Sequence, residues 1–100
     1  MKAAVLHAYN QPLEIAEVQI DEPRRGEVLL RPAASGVCHS DLLIIEGKLP
    51  APPPLVLGHE PSGIVERVGE DVTYVKPGDS VSACLSVFCG TCEYCTAGRP

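Results

Sequence analysis

Several classes of protein are excluded by features that the sequence lacks. No run of apolar residues approaches the roughly 18 that a membrane-spanning helix needs, and residues 1–7 are too short and too soon polar for a secretory signal peptide. The 8 Lys and Arg residues are scattered under a net charge of -5, so there is no basic stripe for a nucleic acid. We therefore expect no nucleic-acid or membrane partner, and we expect a cytoplasmic protein.

The chain has 100 residues, which is room for one small domain, and no domain boundary is visible inside it. It has no Gly-x-Gly-x-x-Gly pattern, so the phosphate loop of a dinucleotide-binding domain is not part of it. Five cysteines are present. Without a secretion signal, we expect them to be thiols or metal ligands in a reducing compartment rather than disulfides.

Short apolar runs rich in Val, Ile and Leu are separated by turns that contain Gly and Pro. They predict strands at residues 3–7, 13–20, 27–34, 63–68 and 81–85. One helix is predicted over residues 41–46, with Ser40 as its N-cap and Gly47 at its end, and prolines then extend the chain over residues 50–54. This pattern predicts a mainly β fold, a partly open barrel with one short helix and a metal-binding loop.

Three cysteines, Cys89, Cys92 and Cys95, follow one another at two-residue gaps. Thiolates at this spacing can converge on one metal ion, and structural zinc sites are closed by four ligands. Because no fourth cysteine follows before Pro100, we expect a chain truncated from a longer protein. An iron–sulfur cluster is the less favoured alternative, since Arg99 stands where a bacterial-type ferredoxin has its fourth cysteine.

A second set of side chains suits a catalytic zinc, which has three protein ligands and one open position. Cys38 and His59 are the two obvious ligands. Adjacent residues on a strand point to opposite faces, so Glu60 is expected either behind His59 or close to the metal after a local rearrangement. Asp41 can accept a hydrogen bond from His59 and orient its ring, and Ser40 can aim its hydroxyl at the open position.

Each of these residues has an ordinary structural alternative. Cys38 and His59 could be a buried thiol and a hydrogen-bonded core histidine, and Glu60 could belong to a buried salt bridge. Ser40 could be only a helix cap, and Asp41 only a charge that is favourable at a helix start.

Taken together, the motifs resemble the zinc-dependent alcohol dehydrogenases of the medium-chain dehydrogenase/reductase family. The resemblance covers essentially the whole chain. Its motifs are Cys38-His39-Ser40-Asp41, Gly58-His59-Glu60 with Gly63 and Gly69 following, and the Cys89/Cys92/Cys95 loop. It implies that residues 1–100 are a truncated N-terminal catalytic domain with a GroES-like barrel, and that a Rossmann coenzyme domain lies outside this chain.

The resemblance also implies roles for individual residues. Cys38 and His59 would ligate the catalytic zinc. Ser40 and Glu60 would be catalytic, the first beginning a proton relay from the alcohol and the second acting as a nearby or transient ligand. Asp41 would support His59. The remaining implied positions are His39 near the coenzyme pyrophosphate, Leu49 and Leu85 in the substrate pocket, and Cys89, Cys92 and Cys95 around a structural zinc.

The activity implied is oxidation of a small alcohol to an aldehyde or ketone, with hydride transfer to NAD or NADP, by a homo-oligomeric full-length enzyme. We expect the fragment alone to be inactive, because it has no coenzyme site and an incomplete zinc shell. Some members of the family finish the proton relay with a histidine at the position of Leu43. A non-catalytic, zinc-binding GroES-like assembly module is the alternative function.

Overall fold

The computed structural model describes all residues from Met1 to Pro100 as two small antiparallel sheets, two short helices and the turns between them. The strands are β1 (Lys2–Leu6), β2 (Glu14–Glu17), β3 (Val28–Ser35), β4 (Leu55–Val56), β5 (Pro61–Val68) and β6 (Ser80–Ser82), and the helices are α1 (His39–Ile45) and α2 (Glu93–Thr96). One sheet has the order β2-β1-β4 and the other the order β3-β5-β6.

The mainly β fold predicted from the sequence is confirmed, and the sheets do not close into a complete barrel. All five predicted strands are present, although β2 and β6 are shorter than expected. Strand β4 and helix α2 were not predicted, because two and four residues are too short to show a periodicity. No helix has the length and apolar character that would let it cross a membrane.

The core is small. Its buried hydrophobic side chains are Val5, Leu6, Leu29 and Val65. They come from β1, β3 and β5, and on β1 the two consecutive residues Val5 and Leu6 are both buried. Gly63 is required on β5, because a Cβ there would overlap the backbone of β3 at a bulge.

Helix α1 begins where β3 has ended, and its N-cap is Cys38, with φ -110° and ψ 150°. The predicted cap, Ser40, is wrong by two residues: it lies inside the first turn. The Asp41 carboxylate accepts the backbone N–H of Cys38 at 3.1 Å, which supplies the partner that a helix start needs. Gly47, with φ 71°, ends the helix as predicted. The proline-rich segment then leads to β4.

The turn before β6 is held by both its backbone and its side chains. Asp79 Oδ2 accepts the backbone N–H of Lys76 at 3.0 Å, and Oδ1 accepts from Lys76 Nζ at 2.8 Å. The backbone of Val65 bonds to this turn twice, donating to the Asp79 carbonyl and accepting from the Gly78 N–H, each at 2.9 Å. The turn therefore fixes the path of the chain into the cysteine loop.

Candidate metal centres

The first candidate centre joins residues that are distant in sequence. Cys38 stands at the start of α1, and His59 and Glu60 lie in the bend between β4 and β5. One possible ligand atom from each of the three lies within 4.8 Å of the others. Tetrahedral zinc with bonds of about 2.0–2.3 Å holds two of its ligand atoms roughly 3.3–3.8 Å apart. Small side-chain adjustments therefore suffice for the three to share an ion.

Asp41 lies behind the histidine, as the sequence predicted. His59 Nδ1 is 3.2 Å from Asp41 Oδ1, and both side chains are largely buried. Asp41 Oδ1 is buried without an aligned hydrogen bond, while Oδ2 holds the start of α1. A carboxylate beside Nδ1 turns Nε2 towards the other ligands, which is how metal-binding histidines are usually supported. The donor set and its support thus fit a zinc ion.

The opposite edge of the imidazole faces polar groups. Ser40 Oγ is 3.2 Å from His59 Nε2. Hydrogen bonds from the Ser40 side chain and backbone, and then from His59, lower the pKa of the Cys38 thiol below its ordinary value. The bond with Cys38 raises the pKa of His59, against a lowering by burial. These contacts favour the Cys38 thiolate, which is the form that binds metals.

Glu60 reaches the cluster by the second of its two expected routes, the local rearrangement. Gly58 has φ 119°, and the residues after it form a bend rather than a strand, so the two-face alternation does not apply there. Glu60 Oε1 lies 3.9 Å from His59 Nε2, and its side chain is half exposed. It pairs with no Lys or Arg, so it does not form the alternative buried salt bridge.

The second candidate centre is the cysteine loop. The sulfur atoms of Cys89, Cys92 and Cys95 all lie within 4.8 Å of one another, and those of Cys89 and Cys95 are 3.8 Å apart. Cys92 also caps α2, accepting the backbone N–H of Cys95 at 3.5 Å. The convergence expected from the spacing is therefore present, and three sulfur donors suit zinc.

Backbone donors prepare this loop for an ion. The backbone N–H groups of Thr91 and Cys92 donate to Cys89 Sγ at 3.5 and 3.3 Å, and with further bonds from both side chains they lower the pKa of Cys89 to about 6. The Gly90 N–H lowers the pKa of Cys95, but Cys92, burial and Cys89 together raise it above its ordinary value. The role of Thr91 was missed in the sequence, where its place inside a Cys-x2-Cys turn is the only clue.

Three predicted site residues are not gathered at either centre. His39 is exposed on the first residue of α1. Leu49, in the proline-rich segment, is 37% exposed, and Leu85, just after β6, is 67% exposed. An apolar hollow lies between the second sheet and the cysteine loop, and neither leucine lines it. Their roles, like the metal-binding roles, stay predictions.

Comparisons with known proteins show the family of this chain. Residues 24–100 match the family model described as the alcohol dehydrogenase GroES-like domain. An NDMA-dependent alcohol dehydrogenase of Amycolatopsis methanolica is 52% identical over 98 residues, which is 98% of this chain and 26% of that protein. The chain thus spans about a quarter of the length of such curated relatives.

Solved structures share the fold. The crystal structure of an NAD-dependent alcohol dehydrogenase superposes with a TM-score of 0.85 at 38% identity, over 99% of this chain and 30% of that one. The apo form of zinc dependent alcohol dehydrogenase 2 from Streptococcus pneumonia gives a TM-score of 0.83 at 35% identity, over 98% of this chain and 28% of that one. The chain therefore belongs to the alcohol dehydrogenase GroES-like domain family.

Proposed function

We propose that this chain is the zinc-holding, N-terminal portion of the catalytic domain of a zinc-dependent alcohol dehydrogenase. In this proposal residues 1–100 are a truncated domain, and a Rossmann domain elsewhere in the complete enzyme binds NAD or NADP. The observation that carries the proposal is the convergence of Cys38, His59 and Glu60 within 4.8 Å, with Asp41 supporting the histidine. The similarity to alcohol dehydrogenases over 98% of the chain supports the same activity.

Cys38 and His59 are the proposed protein ligands of the catalytic zinc, with Glu60 as a nearby or transient ligand. Zinc bound there supplies a Lewis acid that polarises an alcohol or carbonyl oxygen. Asp41 keeps His59 Nε2 directed at the site, because its carboxylate lies 3.2 Å from Nδ1. The lowered pKa of the Cys38 thiol supports ligation, since it shifts the balance towards the thiolate.

Ser40 is the proposed first acceptor of the alcohol proton. Its Oγ lies 3.2 Å from His59 Nε2. Asp41 lies beside the other ring nitrogen, Nδ1, so Ser40 is on the edge of the ring that faces the proposed zinc site. A hydroxyl can accept one proton while it donates another, so it can relay the alcohol proton away from the site. His39 is proposed near the coenzyme pyrophosphate, and Leu49 and Leu85 are proposed as walls of the substrate pocket.

The cysteine loop is proposed as a structural zinc site, completed by a fourth ligand outside residues 1–100. Its three sulfur atoms and the N–H groups directed at Cys89 support this assignment. The complete enzyme is proposed to be a homo-oligomer that acts on a small alcohol or aldehyde. The five free cysteines favour a reducing compartment such as the cytoplasm.

The test uses the complete enzyme with Cys38→Ala and His59→Ala. Each variant should lose the catalytic zinc and alcohol-dependent reduction of NAD or NADP. Cys84→Ala and His7→Ala are matched controls, since both residues are exposed and outside the two clusters, and they should retain zinc and turnover. Variants that lose this zinc and still turn over would refute its catalytic role, and a wild-type protein that holds the zinc without any turnover would favour a non-catalytic assembly module.

The isolated chain gives a complementary test. Residues 1–100 alone should show no turnover with any alcohol and either coenzyme, because the proposed hydride acceptor binds outside them. The purified complete enzyme should be colourless and contain zinc. Visible absorbance with bound iron would contradict the assignment of the cysteine loop and favour the iron–sulfur alternative.

A further inference from the structure

Gly36 and Glu60 face each other at the edge of the first candidate centre. The pairing of β3 with β5 ends at Ser35 opposite Pro61, and the Gly36 N–H donates to the Glu60 carbonyl at 3.1 Å one step further on. Residues directly opposite in an antiparallel pair carry their side chains on the same face. The Glu60 side chain therefore lies over the place where a side chain at position 36 would stand.

That place has no room for even one methyl group. A Cβ built on Gly36 would lie 3.2 Å from the Glu60 Cβ and 3.1 Å from its Cδ, and it would overlap Oε2. Opposed Cβ atoms normally lie about 4.5–5.5 Å apart. Gly36 is not among the glycines with positive φ, so its backbone conformation is open to any residue. The glycine is needed for space and not for backbone freedom.

We propose that Gly36 is a positioning residue whose missing side chain lets the Glu60 carboxylate lie beside the Cys38–His59 pair. The inference rests on the proposed function, because it gives Gly36 a role at the proposed zinc site. With the space open, Glu60 Oε1 lies 3.9 Å from His59 Nε2. With a methyl group there, the half-exposed carboxylate turns towards solvent and no longer faces the metal.

The test is a double-mutant cycle of Gly36→Ala and Glu60→Ala in the complete enzyme. Zinc at this site is followed through the ring nitrogens of ¹⁵N-labelled His59, which separates it from zinc in the cysteine loop. Each single variant should weaken zinc binding about tenfold or more, the usual loss when a supporting group is removed. The double variant should be no weaker than Glu60→Ala, because Gly36 acts only through Glu60.

Two controls match the substitutions. Gly78→Ala adds a methyl group where nothing lies within 4 Å, although its φ of 95° makes the change strained, so it should affect stability but not zinc binding. Glu66→Ala removes a part-exposed carboxylate from β5 that pairs with Arg31 and lies outside both clusters, so it too should leave zinc binding unchanged.

The possible results separate this inference from the proposed function. If the wild-type enzyme holds no zinc at Cys38 and His59, the proposed function fails and the inference fails with it. If zinc is held but Gly36→Ala binds it normally, or the two losses multiply in the double variant, only the inference is overturned. Unfolding of the metal-free proteins gives a further check: Glu60→Ala should relieve the part of any Gly36→Ala destabilisation that comes from the carboxylate, although the Glu60 Cβ contact stays, and fully additive effects would also overturn the inference.

Discussion

Replacing Asp41 with Asn separates the two tasks of this carboxylate. Asp41 accepts the Cys38 N–H at 3.1 Å, and its other oxygen faces His59 Nδ1 at 3.2 Å. Asn keeps an oxygen that can accept the Cys38 N–H and loses only the negative charge that favours a helix N-terminus, so metal-free stability should fall by less than about 1 kcal/mol. The neutral amide no longer attracts the Nδ1 proton, so zinc affinity should fall about 10–100-fold, the usual cost of losing such a partner. This loss equals about 1.4–2.8 kcal/mol of binding free energy.

Zinc binding to the Asp41→Asn variant is measured by competition with a chelator, with the ring nitrogens of His59 as the site-specific probe. Asp79→Asn is the matched control, because Asp79 also accepts the N–H of the residue three positions earlier, at 3.0 Å. The control should bind zinc like the wild type. Equal zinc affinity in Asp41→Asn and wild type would refute the argument that Asp41 orients His59.

Three further predictions concern other parts of the chain. The pKa of Asp79 is lowered and that of Lys76 is raised, each chiefly by their hydrogen bond. Urea unfolding should therefore show a stabilisation that is lost as the pH falls below 3.8 or rises above 10.5; in a Lys76→Met variant the alkaline part should be absent and the acid part reduced, because the backbone N–H of residue 76 still donates to Asp79. Leu6→Ala should lower the free energy of unfolding by about 2–5 kcal/mol, since the side chain is fully buried, and a loss below about 1 kcal/mol would contradict the assigned core. In metal analysis of the complete enzyme, Cys89→Ser should remove one zinc per chain, whereas Cys84→Ser should not. An unchanged zinc content in both variants would contradict the structural zinc site in the loop.

The sequence predicted the parts of the site that depend on residue type and spacing. Cys89, Cys92 and Cys95 converge because two-residue gaps on a tight turn leave the three thiols few other directions. Asp41 lies beside His59 because one helical turn returns it to the level of Cys38. Both relations follow from local geometry.

The parts that the sequence could not predict depend on contacts between distant segments. Glu60 approaches His59 because the chain bends after Gly58. Strand periodicity does not predict this bend. Ser40 was predicted as the helix cap because serine favours that position, yet α1 begins two residues earlier, where Asp41 already binds the backbone of Cys38. Two-residue β4 forms only because β1 is beside it.

The proline-rich segment between α1 and β4 has a thermodynamic consequence for metal uptake. Cys38 and His59 lie on opposite sides of this segment, so an ion that binds both must hold a long stretch of chain in place. Four prolines at positions 50, 52, 53 and 54 already restrict its backbone, which lowers the conformational entropy left to lose. The two ligands are thus preorganised by the chain between them, and more of the intrinsic metal–ligand free energy is expressed as affinity.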